Sequence, residues 1–322
     1  MVDNDRKRLY TISVKEFFLE YLSPKLDIVF KTIFSDKNNT DMLRGLLKAY
    51  LGIDESGEYI LSNTEITPEE LDRKFARLDL RITTEKNEIN VEIQLLNDKN
   101  YSDRCIYYWA SLYTSTVKRG AEYRSAKAAL SLNILDFVLF EGNNNFNSNF
   151  IWYDPQNKLT LSDKARIGIV ELPKMRNFTA EQVRNDERIA WAAFFNAKSK
   201  EEFEMLKRAT RSPNVQKAVT IIRELSGDER IREEARKREE ALFNEKSALN
   251  GAWKDGLEEG LQKGREEGRE EGREEGLQKG REEGLQKGRE ETLKSVIQNL
   301  RELGMDEETI QKALKKQGEQ GK

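Results

Sequence analysis

The chain has 322 residues, with 55 Lys and Arg against 58 Asp and Glu, no histidine and a single cysteine, Cys105. Those counts exclude Ser-His-Asp and Cys-His nucleophile systems, a Cys/His zinc site and an internal disulfide, leaving carboxylates, Lys, Tyr, Ser/Thr or an oxygen-bound metal for any catalysis. The net charge of −3 does not advertise nucleic-acid binding, which would need a local basic surface; no 18-residue apolar run predicts a membrane span, and the N-terminus lacks the apolar core of a signal peptide, so a cytoplasmic protein is expected.

In chain order, residues 13–21 and 25–35 read as short helices. In the second, Val29, Phe30, Ile33 and Phe34 form one buried stripe. Ser23 suits its N-cap and Pro24 its first helical position. A third helix fits 39–51 and ends at Gly52. Strands follow near 59–65, 78–84 and 89–95. A helix from about 101 to 118 is expected to carry Ile106, Trp109, Ala110 and Tyr113 on one face, with Cys105 a small core residue. Further strands fit 129–140, 149–154 and 165–172, the last ended by Pro173. Residues 1–175 therefore read as a mixed α/β domain, and 176–255 as a helical extension with Trp191, Phe194, Phe195, Phe203 and Leu206 as candidate core.

From Gly256 to Gly288 a glycine recurs every fourth residue, in tetrads of the form G-(L/R)-(E/Q)-(E/K) that fill 256–291. Four residues advance roughly 400° around a helix, so the glycines drift only about 40° per unit and trace a slow spiral. Each glycine costs about 1 kcal/mol relative to Ala in a helix. Two readings stand side by side: a flexible charged linker, or a helix whose glycines let a partner helix approach closely. Residues 292–322 complete the chain as a helical pair. Leu293, Val296, Ile297, Leu300 and Leu303 make one stripe, Gly304 ends that helix, and Asp306 caps a second carrying Ile310, Ala313 and Leu314. These stripes are too short to be buried alone and point to self-association.

The most informative stretch is 78–95. LDLRI (78–82) and VEIQL (91–95) alternate strictly around a polar, turn-forming segment. A turn centred on Lys86 and Asn87 pairs residues whose numbers sum to 173, so that Arg81 faces Glu92 and Asp79 faces Gln94. Leu80, Ile82, Val91 and Ile93 then share a buried face, and Asp79, Arg81, Glu92 and Gln94 share the other. That second face is either the solvated side of a hairpin or a site. Asp is uncommon in strands, and two diagonal carboxylates repel each other. A bound Mg²⁺ reverses that cost, since it takes one or two carboxylates together with water and phosphate oxygens.

SPKLDIVFKTIF (23–34), RLDLRI (77–82), NVEIQL (90–95), DRCIYYWASLY (103–113), LNILDF (132–137) and VELPK (170–174) stand in an order that resembles the PD-(D/E)XK nuclease family transposases, also called the Rpn family of recombination-promoting nucleases. The resemblance covers about residues 20–250. It implies a restriction-endonuclease-like α/β core, a mixed sheet flanked by helices, and a Mg²⁺- or Mn²⁺-dependent DNA endonuclease associated with recombination or mobile elements. It also implies Asp79 and Glu92 as metal ligands, with Gln94 at the position where the wider superfamily has lysine. Gln94 cannot act as a base but can orient water through hydrogen bonds.

Asp27 matches the acidic position of the first block and reads as a third catalytic carboxylate, or as an exposed i, i+4 ion pair with Lys31. Lys31, Arg81 and Arg104 are candidate phosphate-binding residues. The alternative to an active nuclease is a weakly active or inactive assembly or regulatory protein on the same fold, working through its C-terminal helices. RNA in place of DNA is a third reading. Homo-oligomerisation through the C-terminal helices is expected in any case.

Overall fold

The structure, a computed structural model, describes residues 21–62, 80–97 and 100–312. Asp79, Leu78, Ala313, Leu314 and all but the last residue of the helix expected at 13–21 lie outside them. The chain divides into two compact units, residues 1–246 and 247–322.

The first unit is built on a six-stranded mixed sheet of order β1-β2-β3-β4-β6-β5. Its strands are β1 (Ile60–Ser62), β2 (Leu80–Thr83), β3 (Asn87–Gln94), β4 (Ala128–Leu135), β5 (Asn147–Asp154) and β6 (Leu159–Glu171). β1, β2 and β3 run antiparallel, β3, β4 and β6 run parallel, and β5 closes the edge as a hairpin with β6. The parallel step from β3 to β4 needs a crossover. Helix α3 (Tyr101–Thr116) supplies it and lies against both strands.

The β2–β3 ladder pairs Leu80 with Val91, Arg81 with Asn90, Ile82 with Ile89 and Thr83 with Glu88. The paired numbers sum to 171, not to the expected 173. The turn falls on Glu85 and Lys86, because Thr84 and Asn87 close it through Thr84 N–H to the Asn87 carbonyl (2.9 Å) and Asn87 N–H to Thr84 Oγ1 (2.9 Å). Moving a turn by one residue shifts the sum by two. Every side chain therefore keeps its face, although Arg81 no longer faces Glu92.

Leu80, Ile82, Ile89, Val91 and Ile93 point into the main core with Leu132, Ile134 and Val170. Helices α1 (Asp27–Phe34) and α2 (Thr40–Leu51) supply Val29, Phe30, Ile33, Phe34, Leu43 and Leu46 to the same core. The stripe expected on α1 is buried as read. Its cap is not: Leu26 is the N-cap residue, and Ser23-Pro24 form a turn ahead of the helix with Leu26 N–H on the Ser23 carbonyl. α2 ends where expected, with Gly52 left-handed at φ 68°. Gly168 on β6 makes room for α2, since an added Cβ would lie 2.7 Å from a Leu51 methyl.

The core continues past residue 175, the expected domain boundary. Helices α4 (Ala180–Asn185), α5 (Glu187–Asn196), α6 (Lys200–Ala209) and α7 (Pro213–Gly227) bring Val183, Trp191, Phe194, Phe195, Phe203, Leu206 and Val219 into it. Phe34 lies 5.8 Å from Trp191 and Phe30 lies 6.1 Å from Phe195, ring centre to ring centre. The block at 170–174 is structural. Glu171 is buried, its carboxylate accepts from the Leu139 and Phe140 amides (2.7 and 3.0 Å), and Lys174 neutralises it at 2.6 Å.

Helix α8 spans Glu229–Glu302, so the tetrad segment is helical, not a linker. In the second unit Gly304 is left-handed (φ 78°) and Asp306 accepts from Thr309 N–H, as expected of a helix stop and a new cap. Ile310 is fully buried. Among the described residues no helix is long and apolar enough to cross a membrane.

A Cβ added at any glycine from Gly256 to Gly288 would meet nothing within 4 Å. Replacing Gly268, Gly272 and Gly276 together by Ala should therefore stabilise the helix by about 2–3 kcal/mol in total, seen as a higher melting temperature of the tail by far-ultraviolet circular dichroism. A lower one would mean that the glycines serve a close contact with a partner.

Candidate functional site

β3 is covered on both sides, which decides the fate of its polar residues. The face carrying Arg81, Glu88, Asn90 and Glu92 is not solvated. α3 lies over it with Tyr101, Cys105, Tyr108 and Leu112 inward, at spacings of four, three and four. The face expected for this helix is therefore wrong: Ile106 is 57% exposed. The reason is what α3 packs on. It faces a strand surface of Asn90, Glu92, Ser131 and Asn133 beside Leu135 and Ile169, and tyrosines, a thiol and an arginine suit that mixed surface better than an aliphatic stripe.

Glu92 is only 4% exposed. Arg104, from the first turns of α3, reaches it: one guanidinium nitrogen, Nη2, donates to Glu92 Oε1 at 3.0 Å and to Gln94 Oε1 at 2.9 Å. Gln94 Nε2 donates to the Leu96 carbonyl at 3.2 Å, which fixes its oxygen toward Arg104. The guanidinium carbon stands 4.7 Å from the Tyr101 ring centre and 5.9 Å from that of Tyr108, within cation–π range. Behind Glu92, Tyr101 O–H donates to Asn133 Oδ1 (3.3 Å), and Asn133 in turn donates to Ser131 Oγ and the Gly168 carbonyl (both 3.1 Å).

Burial pushes the Cys105 thiol up to about 12, and the negative charge of Glu92 adds to the effect. Burial raises the Tyr101 hydroxyl far above its ordinary value, again with Glu92 contributing. Neither is a nucleophile at neutral pH. Cys105 is the small core residue expected.

Glu92 and Gln94 open onto a cleft of ≈ 250 Å³ at the C-terminal end of β3, lined also by Lys25, Asp27 and Lys31 around the start of α1 and by Arg238, Leu242 and Glu245 from the start of α8. Asp27 is held by Arg238, whose Nε lies 2.9 Å from Oδ1 and whose Nη2 bonds the other oxygen. Burial raises the Asp27 carboxyl, but the Arg238 hydrogen bonds and charge outweigh it, and the group ends below the usual carboxylate range. Lys25 reaches Asp136 at 2.8 Å, at the end of β4.

Of the residues singled out from sequence, Asp27, Lys31, Glu92 and Gln94 line this one cleft, and Arg104 grips the last two from behind. Arg81 is elsewhere, with Nε on Glu88 (3.3 Å) and Nη2 on Ser115 Oγ (2.9 Å). Asp79 lies outside the described residues. Lys25 and Arg238 were not foreseen. Lys25 sits inside the first sequence block, but Arg238 is 211 residues from Asp27 in a uniformly charged helix that offers no local signal.

Whether these residues suit a hard cation can be judged from the donors. Two side-chain oxygens, from Glu92 and Gln94, already converge on one cationic nitrogen. One carboxylate and one amide oxygen is a donor set that Mg²⁺ accepts when water and phosphate complete it. No group of three or more acidic or thiol ligands occurs among the described residues. The fit is thus that of a partial site, in which Glu92 and Gln94 would hold the ion.

A mixed sheet with helices on both faces, and a buried strand-borne carboxylate at a polar cleft, is the arrangement of a restriction-endonuclease-like fold. The family model for the PD-(D/E)XK nuclease family transposases matches residues 24–252. The chain belongs to that family, whose members are nuclease-like and associated with mobile elements. No curated protein and no solved structure matches the chain.

A group whose pKa is lower in the folded chain stabilises it above the unfolded pKa and loses that contribution as pH falls through the folded value. Asp27→Asn should thus cost the full-length protein about 1 kcal/mol or less at neutral pH, the pair being partly solvated. In urea titrations the gap should close below about pH 4. A gap independent of pH would show that the carboxylate charge is not what holds Arg238.

Proposed function

We propose that this protein is a divalent-metal-dependent DNA endonuclease, with Asp79 and Glu92 as metal ligands and Gln94 positioning the attacking water. The observation that carries the reading is the convergence of Glu92 Oε1 and Gln94 Oε1 on a single cationic centre at the wall of the cleft.

Charge supports it too. The cleft is lined by three basic residues, Lys25, Lys31 and Arg238, and three acidic ones, Asp27, Glu92 and Glu245. Such a lining is no anion trap by itself, and a phosphodiester would need added positive charge there. A bound Mg²⁺ or Mn²⁺ would supply it, polarising the phosphate and providing hydroxide near neutral pH. Lys31 then bears on a non-bridging phosphate oxygen as a point charge, while the Asp27–Arg238 pair fixes the opposite wall. Contacts of this kind are to the backbone, so sequence preference is weak.

The purified full-length protein should cut plasmid DNA with Mg²⁺ or Mn²⁺ and stop with EDTA. Asp79→Asn and Glu92→Gln should each reduce cutting to background while circular dichroism stays that of the wild type. If both variants cut normally, the site is misassigned. An inert wild type would favour the second reading, an assembly or regulatory protein on the same fold, for which the observation is that Arg104 already neutralises Glu92.

The reading includes self-association through the C-terminal helix, where Leu257, Leu261, Leu277 and Leu285 are exposed beside open glycines. Because the glycines turn about 40° per tetrad, a straight partner helix meets only a few of them, and short crossing contacts fit better than a long coiled coil. Deleting residues 256–322 should lower the mass measured by light scattering, and an unchanged mass would count against this part of the reading.

A further inference from the structure

We propose that Arg104 is a built-in stand-in for the divalent ion, holding Glu92 and Gln94 in place without metal and leaving Glu92 when metal binds. The inference rests on the metal-dependent reading above and adds a role for a residue outside the ligand set. Its starting point is burial. The Glu92 side chain is 5% exposed, and a carboxylate taken so far out of water requires a counter-charge to remain ionised. A strand-borne carboxylate kept ready for a metal must be neutralised by something else while the metal is absent.

The contact geometry shows what Arg104 substitutes for. Arginine commonly grips a carboxylate with two nitrogens on two oxygens. Here a single nitrogen, Nη2, spans oxygens of two different residues, at 3.0 and 2.9 Å. It behaves as a point cation placed where the two donors meet. A divalent ion drawn to the same two oxygens competes with that nitrogen for the same space and is repelled by its charge.

The surroundings give Arg104 a place to remain. Its guanidinium already lies over the Tyr101 and Tyr108 rings, 4.7 and 5.9 Å from their centres, and its side chain is 23% exposed. Release from Glu92 leaves it on an aromatic platform with access to solvent, next to the cleft-lining Gln94, where a phosphate oxygen could reach it. One residue thereby serves first as counter-ion and then as a phosphate contact.

The test is Mn²⁺ binding by titration calorimetry on the full-length protein without nucleic acid, using the wild type, Arg104→Met, Arg104→Lys and Glu92→Gln. The neutral Arg104→Met, which removes a competing positive charge from the ligand oxygens, should bind Mn²⁺ about tenfold or more tightly than the wild type. Arg104→Lys, which keeps the charge, should stay close to the wild type, and Glu92→Gln should not bind. Equal or weaker binding by Arg104→Met, with Glu92→Gln still abolishing it, overturns the stand-in role and leaves the metal site standing. No binding by any variant overturns the metal reading itself. If Arg104→Met does not fold, the side-chain Nε resonance of Arg104, assigned by its absence from Arg104→Lys, decides in the wild type. It should move when Mg²⁺ is added and stay still in Glu92→Gln; a resonance that ignores Mg²⁺ in a wild type that binds Mn²⁺ rejects the proposal.

Discussion

Glu92 is a carboxyl group on an inner strand, beneath a helix, and its burial constrains everything around it. Removing an ionised group from water costs several kcal/mol even after relaxation. The surroundings must therefore offer a cation at close range, and the crossover connection does so. Parallel pairing of β3 with β4 sends the chain over the sheet as α3, and the early turns of α3 bring Arg104 to 3.0 Å from Glu92. The same helix sets Tyr101 and Tyr108 against the guanidinium. Topology, counter-charge and aromatic platform thus come from one element.

The alternation of LDLRI and VEIQL was enough to assign faces, because the only error in register was even. A turn displaced by one residue changes partners without turning any strand over, so Glu92 and Gln94 remained where the pattern put them. The helix after the hairpin was misread for a related reason. Periodicity finds apolar stripes, whereas α3 packs on a strand face bearing Glu92, Asn90 and Asn133 and so buries Tyr101, Cys105 and Tyr108 in place of Ile106. Polar packing surfaces leave weak periodic signals. Arg238 was illegible for another reason: its meaning depends on Asp27, 211 residues away, and nothing near it in sequence distinguishes it from the other charges of α8. Gly52 and Gly304, by contrast, were legible because a left-handed residue ending a helix is a local requirement that glycine meets without steric cost.

The helices after residue 175 are part of this site's support. Trp191 and Phe195 pack on Phe30 and Phe34 of α1, with Phe194 and then Phe203 behind them, so the helix that presents Asp27 and Lys31 is backed by residues far downstream. The start of α8 then supplies Arg238 to Asp27. Residues 24–252, which carry the family pattern, and residues 1–246, which form the compact unit, end within a few residues of each other. The agreement has a physical reason: the cleft is incomplete until Glu245.

Beyond that point the chemistry changes. In the tetrads from 256 to 291 glutamate outnumbers lysine and arginine, so this helix repels a phosphate backbone and cannot be the basic surface that DNA would need. Its exposed Leu257, Leu261, Leu277 and Leu285 are apolar points on an otherwise charged rod, a composition suited to protein contacts in which Glu and Lys or Arg also select the partner. On the proposed reading, nucleic acid would be met by the first unit, where Lys25, Lys31 and Arg238 line the cleft. Those three are balanced there by Asp27, Glu92 and Glu245, so on the proposed reading the charge that would tip the site toward phosphate is that of a cation held by Glu92, the carboxylate that Arg104 neutralises in the structure.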